Sequence, residues 1–148
     1  MIEKFDAEYA FLSNFYPSPI EMGGETYPTV EHAFQAAKTA NPEHRAQIRN
    51  KSTPGGAKRL GGKRGKLITL RPDWEQIKLS IMENLVRQKF QHHELKTMLL
   101  ATGDQELVEG NNWNDTFWGV CRGKGENNLG KLLMEVRGYL IFLKEVFR

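Results

Sequence analysis

Tyr27-Pro28-Thr29-Val30-Glu31-His32-Ala33-Phe34-Gln35-Ala36-Ala37-Lys38 is the stretch from which the rest of the chain is best read. Thr29 suits a helix N-cap, because its hydroxyl accepts from a first-turn N–H that has no other partner. Val30, Phe34 and Ala37 then recur at helical spacing and form an apolar stripe. Glu31, Gln35 and Lys38 recur at the same spacing and form a second stripe about a quarter turn away. A carboxylate, an amide and an amine on one edge of a half-buried helix are the components of an acid/base site. The same residues also suit the helix dipole, with Glu in the first turn and Lys near the other end. The local sequence leaves both readings open.

Working outward, Pro19 to Tyr27 predicts a hairpin with Gly23-Gly24 at its tight turn. Lys4 to Asp6 is expected as a strand. The helix from Val30 is expected to end by Asn41-Pro42, since a residue preceding proline avoids the helical region. Pro42 opens a short polar helix over 43–50, and Thr53-Pro54 repeats the same cap for a helix to Leu60, stopped by Gly61-Gly62. The basic run that follows, with Lys63, Arg64 and Lys66, suits either a mobile anion-contacting loop or a solvated linker.

Pro72 starts the longest amphipathic helix, with Trp74, Ile77, Ile81 and Leu85 on one face and Met82, Val86 and Phe90 beside them. Trp74, at its first turn, can cap the core or project into a cleft. A further helix covers 94–101. Strands are expected over 106–109 and 116–120, and a last helix over 129–147.

At 148 residues, 39% hydrophobic and 26% charged, the chain reads as one globular domain, residues 1–148, with no internal repeat or linker. No apolar run approaches a membrane span, and the first residues carry no signal-peptide core. A single cysteine, Cys121, excludes an internal disulfide and fits a reducing, cytoplasmic compartment. The net charge of +3 is modest, but Lys58, Arg59, Lys63, Arg64 and Lys66 crowd one stretch and favour a phosphate-bearing partner. His32, His44, His92 and His93 lack metal-ligand spacing, and no Gly-x-Ser-x-Gly elbow is present.

Asn114-Asp115-Thr116-Phe117-Trp118-Gly119 is a second candidate constellation. Asn-Asp is an ordinary turn pair, and of two adjacent aromatics on a strand one is enough for the core. The other can stack on a flat ligand. The glycines from Gly123 to Gly130 precede a helix, where backbone N–H groups favour an anion, but their spacing matches no nucleotide-binding fingerprint.

In order and spacing, Leu12-Ser13-Asn14-Phe15, the Tyr27–Lys38 stretch, Asn114–Gly119 and Gly123-Lys124-Gly125-Glu126-Asn127-Asn128-Leu129-Gly130 together resemble the NADAR (YbiA-like) family of N-glycosidases. The resemblance runs from about Phe11 to Arg137 and includes Trp74. It implies an α+β domain, mainly helical with a small antiparallel sheet, and hydrolysis of an N-glycosidic bond in a phosphorylated ribosyl compound. Two substrate groups follow from it: phosphoribosylamino-pyrimidine intermediates of riboflavin synthesis, and ADP-ribose on nucleobases, including guanine in DNA. It implies Glu31, Lys38 and Asp115 as catalytic residues, with Trp74 and the pocket walls Asn14, Phe15 and Trp118 at the substrate; Gln35, from its place on the helix edge, and Asn127, from the segment before the last helix, are expected there too. It implies no cofactor or metal. A non-catalytic ADP-ribose or nucleotide-binding module is the alternative, and a nucleic-acid module centred on Lys58–Lys66 a third possibility.

Overall fold

The computed structural model describes residues 1–148 and contains six α-helices, two short antiparallel strands and two short parallel ones. It is a mainly helical α+β fold with a small antiparallel sheet, as the sequence predicts. No helix is long and apolar enough to cross a membrane. The chain divides into two compact units, 14–89 and a second made of 1–13 with 90–148.

In the 14–89 unit, β1 (Ile20–Met22) pairs with β2 (Glu25–Tyr27) in the expected hairpin, Ile20 opposite Tyr27. Gly23 and Gly24 both hold positive φ, +60° and +83°, which is the requirement of a two-residue turn that matches strand twist. Gln88 braces the strand edge, its amide donating to the Glu21 carbonyl at 2.9 Å. Four helices follow: α1 (Val30–Ala36), α2 (Pro42–Arg49), α3 (Pro54–Gly61) and α4 (Trp74–Lys89). α1 and α3 open on the caps read from the sequence, and α2 opens on Asn41, just before the proline expected to start it. Thr29 accepts from the His32 N–H, Asn41 from Glu43 and His44, and Thr53 from Gly56. Each cap stabilises its helix by about 1 kcal/mol.

The expected helix over 30–41 is shorter in the structure. The chain tightens at Lys38 and Thr39, whose N–H groups bond three residues back, to Gln35 and Ala36. The reason is tertiary: Arg71 donates its backbone N–H to the Lys38 carbonyl at 3.0 Å and its guanidinium to the Ala37 carbonyl. The Ala37 carbonyl is the acceptor that the Asn41 N–H would use in a helix continued to that residue. The basic run is also ordered differently from a loose loop, since Lys63–Gly65 forms a 3-10 turn.

All seven residues of α1 are buried, and α2, α3, α4 and the hairpin pack around it. Gly61 marks the close approach of α3. A Cβ there would stand 2.5 Å from Gln35 Oε1 and 2.8 Å from Gln35 Cβ. On α4 the buried face is Trp74, Met82, Leu85, Val86 and Lys89, with Ile77 and Ile81 only half-buried. Lys89 is 1% exposed, its ammonium 5.8 Å from the Tyr16 ring centre. Burial pushes its pKa down to about 7.

In the other unit, α5 (His93–Ala101) packs on α6 (Asn128–Val146), and a 3-10 turn over Ala7–Leu12 packs on α5. Leu99, Leu107, Leu129 and Leu133 are buried with Phe11 and Leu12. The buried Arg137 guanidinium ties α6 to the end of α5, donating to Thr102 Oγ1 at 2.8 Å and the Gln105 carbonyl at 2.7 Å. The expected strand at 4–6 is absent; only Ile2 bridges to Leu107, and the chain then turns into the 3-10 segment. The strand expected over 106–109 is absent apart from the Leu107 bridge, and the short strand β3 (Gly110–Asn111) lies where a Gly110-Asn111-Asn112 turn is expected. The strand expected over 116–120 is reduced to β4 (Val120–Cys121), and the pair is parallel. Side chains take the groups a longer ladder would need. Asn127 holds Leu107 and Glu109, and Asp115 holds Phe117 and Trp118.

Two outcomes follow from this packing. The folded chain gives up the Lys89 proton near pH 7, whereas the unfolded chain keeps it up to about 10.5. The unfolded state therefore binds more protons across that window, and this group's penalty is full below about pH 7 and fades as pH rises, by on the order of 1 kcal/mol per pH unit. In chemical denaturation, Lys89→Met gains most over the wild type at pH 6 and progressively less toward pH 10. A pH-independent difference would contradict this. Gly61→Ala overpacks Gln35 and lowers stability by about 1–3 kcal/mol, read by the same titration; a neutral effect would mean that α3 withdraws freely.

Candidate active site

The α1 edge is assembled by hydrogen bonds that begin at its cap. His32 Nε2 lies 2.9 Å from the Lys51 carbonyl, which can only accept, so Nε2 carries the proton. Nδ1 then accepts from the Thr29 hydroxyl at 2.8 Å, while Thr29 Oγ1 accepts from the His32 backbone N–H. His32 is therefore a structural lock, and it fixes the rotation of α1. The Glu31 N–H donates to the Asn14 carbonyl at 3.1 Å, which ties the Asn14–Phe15 segment to the same helix start. Asn14 itself is half-buried and its amide reaches Met82 Sδ at 3.5 Å.

Glu31 is 7% exposed, and Gln35, one turn on, donates its amide to Glu31 Oε1 at 2.9 Å. That bond assigns the Gln35 amide and turns its Oε1 toward Gly61 of α3, where this buried oxygen has no hydrogen-bond partner. Gln35 thus holds one oxygen of the carboxylate in a fixed rotamer. Lys38 lies just past the helix end and is half-buried. Burial lowers its pKa from the ordinary lysine value; the Glu31 carboxylate opposes that shift, and the like charge of Lys58 reinforces it. The structure thereby brings Glu31, Gln35 and Lys38 to one edge, as the helical spacing predicts, with Lys38 held by Arg71 instead of by a further helical turn.

Trp74, at the first turn of α4, is buried with its ring centre 5.0 Å from that of Phe34, on the apolar side of α1. Of the two roles open to it, it fills that of core cap. Phe15 is 41% exposed, and the Lys58 ammonium lies 6.0 Å from its ring centre. Sequence reading places Lys58 only in a general basic patch. Its adjacency to this edge comes from α3, and the signal is its spacing, three residues before a glycine.

Asp115, Trp118 and Asn127 belong to the other unit. Asp115 Oδ1 accepts from the N–H groups of Phe117 and Trp118 at 3.1 and 2.9 Å, and it folds this segment into an Asx-type turn where a strand is expected. Phe117 and Trp118 stack edge-on with ring centres 4.8 Å apart. Asn127 spends its whole amide within the fold, Oδ1 accepting from the Glu109 N–H and Nδ2 donating to the Leu107 carbonyl. The glycine-rich approach to α6 is likewise committed. The amides of Glu126, Asn127, Asn128 and Leu129 donate to the carbonyls of Thr116, Gly119, Phe117 and Trp118. A phosphate would find those four donors already taken.

With this geometry in view, kinship is informative. The NADAR domain profile matches residues 2–141. The chain is 45% identical over 139 residues to N-glycosidase YbiA of Escherichia coli (strain K12), covering 93% of this chain and 85% of that protein. It is 39% identical over 134 residues to riboflavin biosynthesis protein VVA0006 of Vibrio vulnificus, covering 89% of this chain but 36% of that longer protein. The NMR structure of E. coli YbiA superposes with a TM-score of 0.81 at 42% identity, over 97% of this chain and 89% of that one. On these grounds the chain belongs to the NADAR domain family.

Proposed function

We propose that the chain is a hydrolase of N-glycosyl bonds that cleaves the C1′–N bond of a phosphorylated ribosyl or ADP-ribosyl compound in the cytoplasm. The observation that carries this is the α1 edge: a half-buried Lys38 whose charged form is disfavoured, beside a buried Glu31 fixed by Gln35. Relatives named as an N-glycosidase and as a riboflavin biosynthesis protein support the reaction class. Two substrate groups fit it, phosphoribosylamino-pyrimidine intermediates of riboflavin synthesis and ADP-ribosylated guanine in nucleic acid.

In this reading the neutral Lys38 amine attacks C1′ as the C1′–N bond breaks, and the bonding pair leaves with the base. Glu31 takes the proton released by the attacking amine and delivers one to the departing nitrogen. The ribose ring then opens to an imine with Lys38. Water adds to it, the Lys38–carbon bond breaks, and the net change is one water consumed with free base and free sugar formed. Within its own unit, Asp115 has Oδ1 committed to two amides, which leaves Oδ2 as the oxygen able to hold a ribose hydroxyl. Phe15 and Asn14 wall the Lys38 side and Trp74 backs the edge through Phe34, while Asn127 sets the segment before α6 within the other unit.

The test offers the riboflavin intermediate and ADP-ribosylated DNA and follows free base, with borohydride to trap the imine. Lys38→Ala and Glu31→Gln each lose about 10²–10⁴-fold in kcat, and Lys38→Ala loses the trapped adduct. Because the nucleophile is the uncharged amine, kcat rises with pH through a midpoint below 10.5, the unperturbed lysine value. Full turnover by Lys38→Ala would remove the proposed nucleophile.

A further inference from the structure

On α3, Lys58 and Gly61 are one helical turn apart and share a face. Gly61 is the point where α3 meets Gln35, so that face is turned to the α1 edge. Lys58 stands one turn earlier on it, against the Phe15 ring, and its charge is felt at Lys38. Lys58 is exposed to solvent.

Lys58 sets a positive charge on the face of α3 that is turned to the α1 edge, and a charge so placed attracts an anion. The surroundings point the same way. From Lys51 to Pro72 there is no carboxylate, while Arg59, Lys63, Arg64 and Lys66 extend the positive field from α3 through the 3-10 turn. At the competing anion site, the approach to α6, the amides of residues 126–129 are committed to backbone carbonyls.

We propose that Lys58 is the phosphate-recognising residue of this site, holding the phosphate group carried by the ribose whose C1′ faces Lys38. The assignment rests on the N-glycosidase reading for its substrate, and on the placement of α3 for its geometry. Lys58 supplies a charge-assisted contact worth about 10- to 100-fold in affinity. Gly61 sets the distance, because any side chain there would push α3, and Lys58 with it, away from α1.

The experiment compares kcat/KM for a phosphoribosylamino-pyrimidine and its dephosphorylated counterpart in wild type, Lys58→Gln and Lys58→Arg. The expected result is a 10- to 100-fold collapse of the preference for the phosphorylated compound in Lys58→Gln and its retention in Lys58→Arg. Ribose 5-phosphate binding to the Lys38→Ala protein, read by calorimetry, weakens to the same degree when Lys58→Gln is added. An unchanged preference with only an upward shift of the pH midpoint would overturn the proposal and leave Lys58 as a tuner of Lys38. Loss of ribose 5-phosphate binding in a protein that cleaves neither compound would keep the phosphate site and remove the glycosidase reading. Binding indifferent to Lys58 would remove the phosphate site.

Discussion

Everything in the 14–89 unit answers to one constraint: a seven-residue helix, buried along its whole length, contains a carboxylate, an imidazole and a carboxamide. Leaving any one of them unbonded out of water costs about 1–3 kcal/mol. The fold meets the demand by bringing specific groups to α1. The carbonyl of Lys51, in the turn between α2 and α3, takes the His32 proton, Thr29 closes the other side of the ring, and Gln35 turns to Glu31. The one debt left open is Gln35 Oε1, and it faces the place where α3 comes closest. A site whose carboxylate is oriented by its own helix needs no flexible loop to set it, which is the arrangement that holds a proton-transfer group in place before substrate arrives.

Much of this was legible in the residues because local chemistry decided it. Thr29, Asn41 and Thr53 are caps whose side chains act within three residues, and Gly23-Gly24 satisfies a turn that depends on nothing distant. The misreadings share a different cause. The end of α1 is tied to Arg71, more than thirty residues away, which bonds the Lys38 carbonyl and takes the Ala37 carbonyl that a further helical turn would use. The strands expected over 106–109 and 116–120 lose ladder partners to Asn127 and Asp115, whose reach depends on the tertiary fold. Lys89 sits on a face that amphipathic reading assigns to apolar residues, and the charge on its symbol hides a side chain that is mostly hydrocarbon.

The candidate site was half legible for the same reason. Glu31, Gln35 and Lys38 share a helical edge by spacing alone, so periodicity finds them. Lys58 reaches that edge only because α3 returns along α1, and Gly61 permits it. The basic stretch announces its charge in sequence but not its direction. Conversely, the glycines before α6 look like an anion cradle in sequence and are explained in the fold by backbone crowding, since a side chain at Gly125 or Gly130 would collide with a neighbouring carbonyl.

The enclosure of Lys89 has a consequence for chemical labelling. A lysine with a substantial uncharged fraction near neutrality is ordinarily the first to react with acylating reagents, since only the free amine is a nucleophile. Lys89 meets the electronic condition and fails the steric one, being 1% exposed. Lys38 combines a depressed pKa with partial access. Of the two perturbed amines in this unit, one is therefore invisible to an electrophilic probe under native conditions and the other is its natural address.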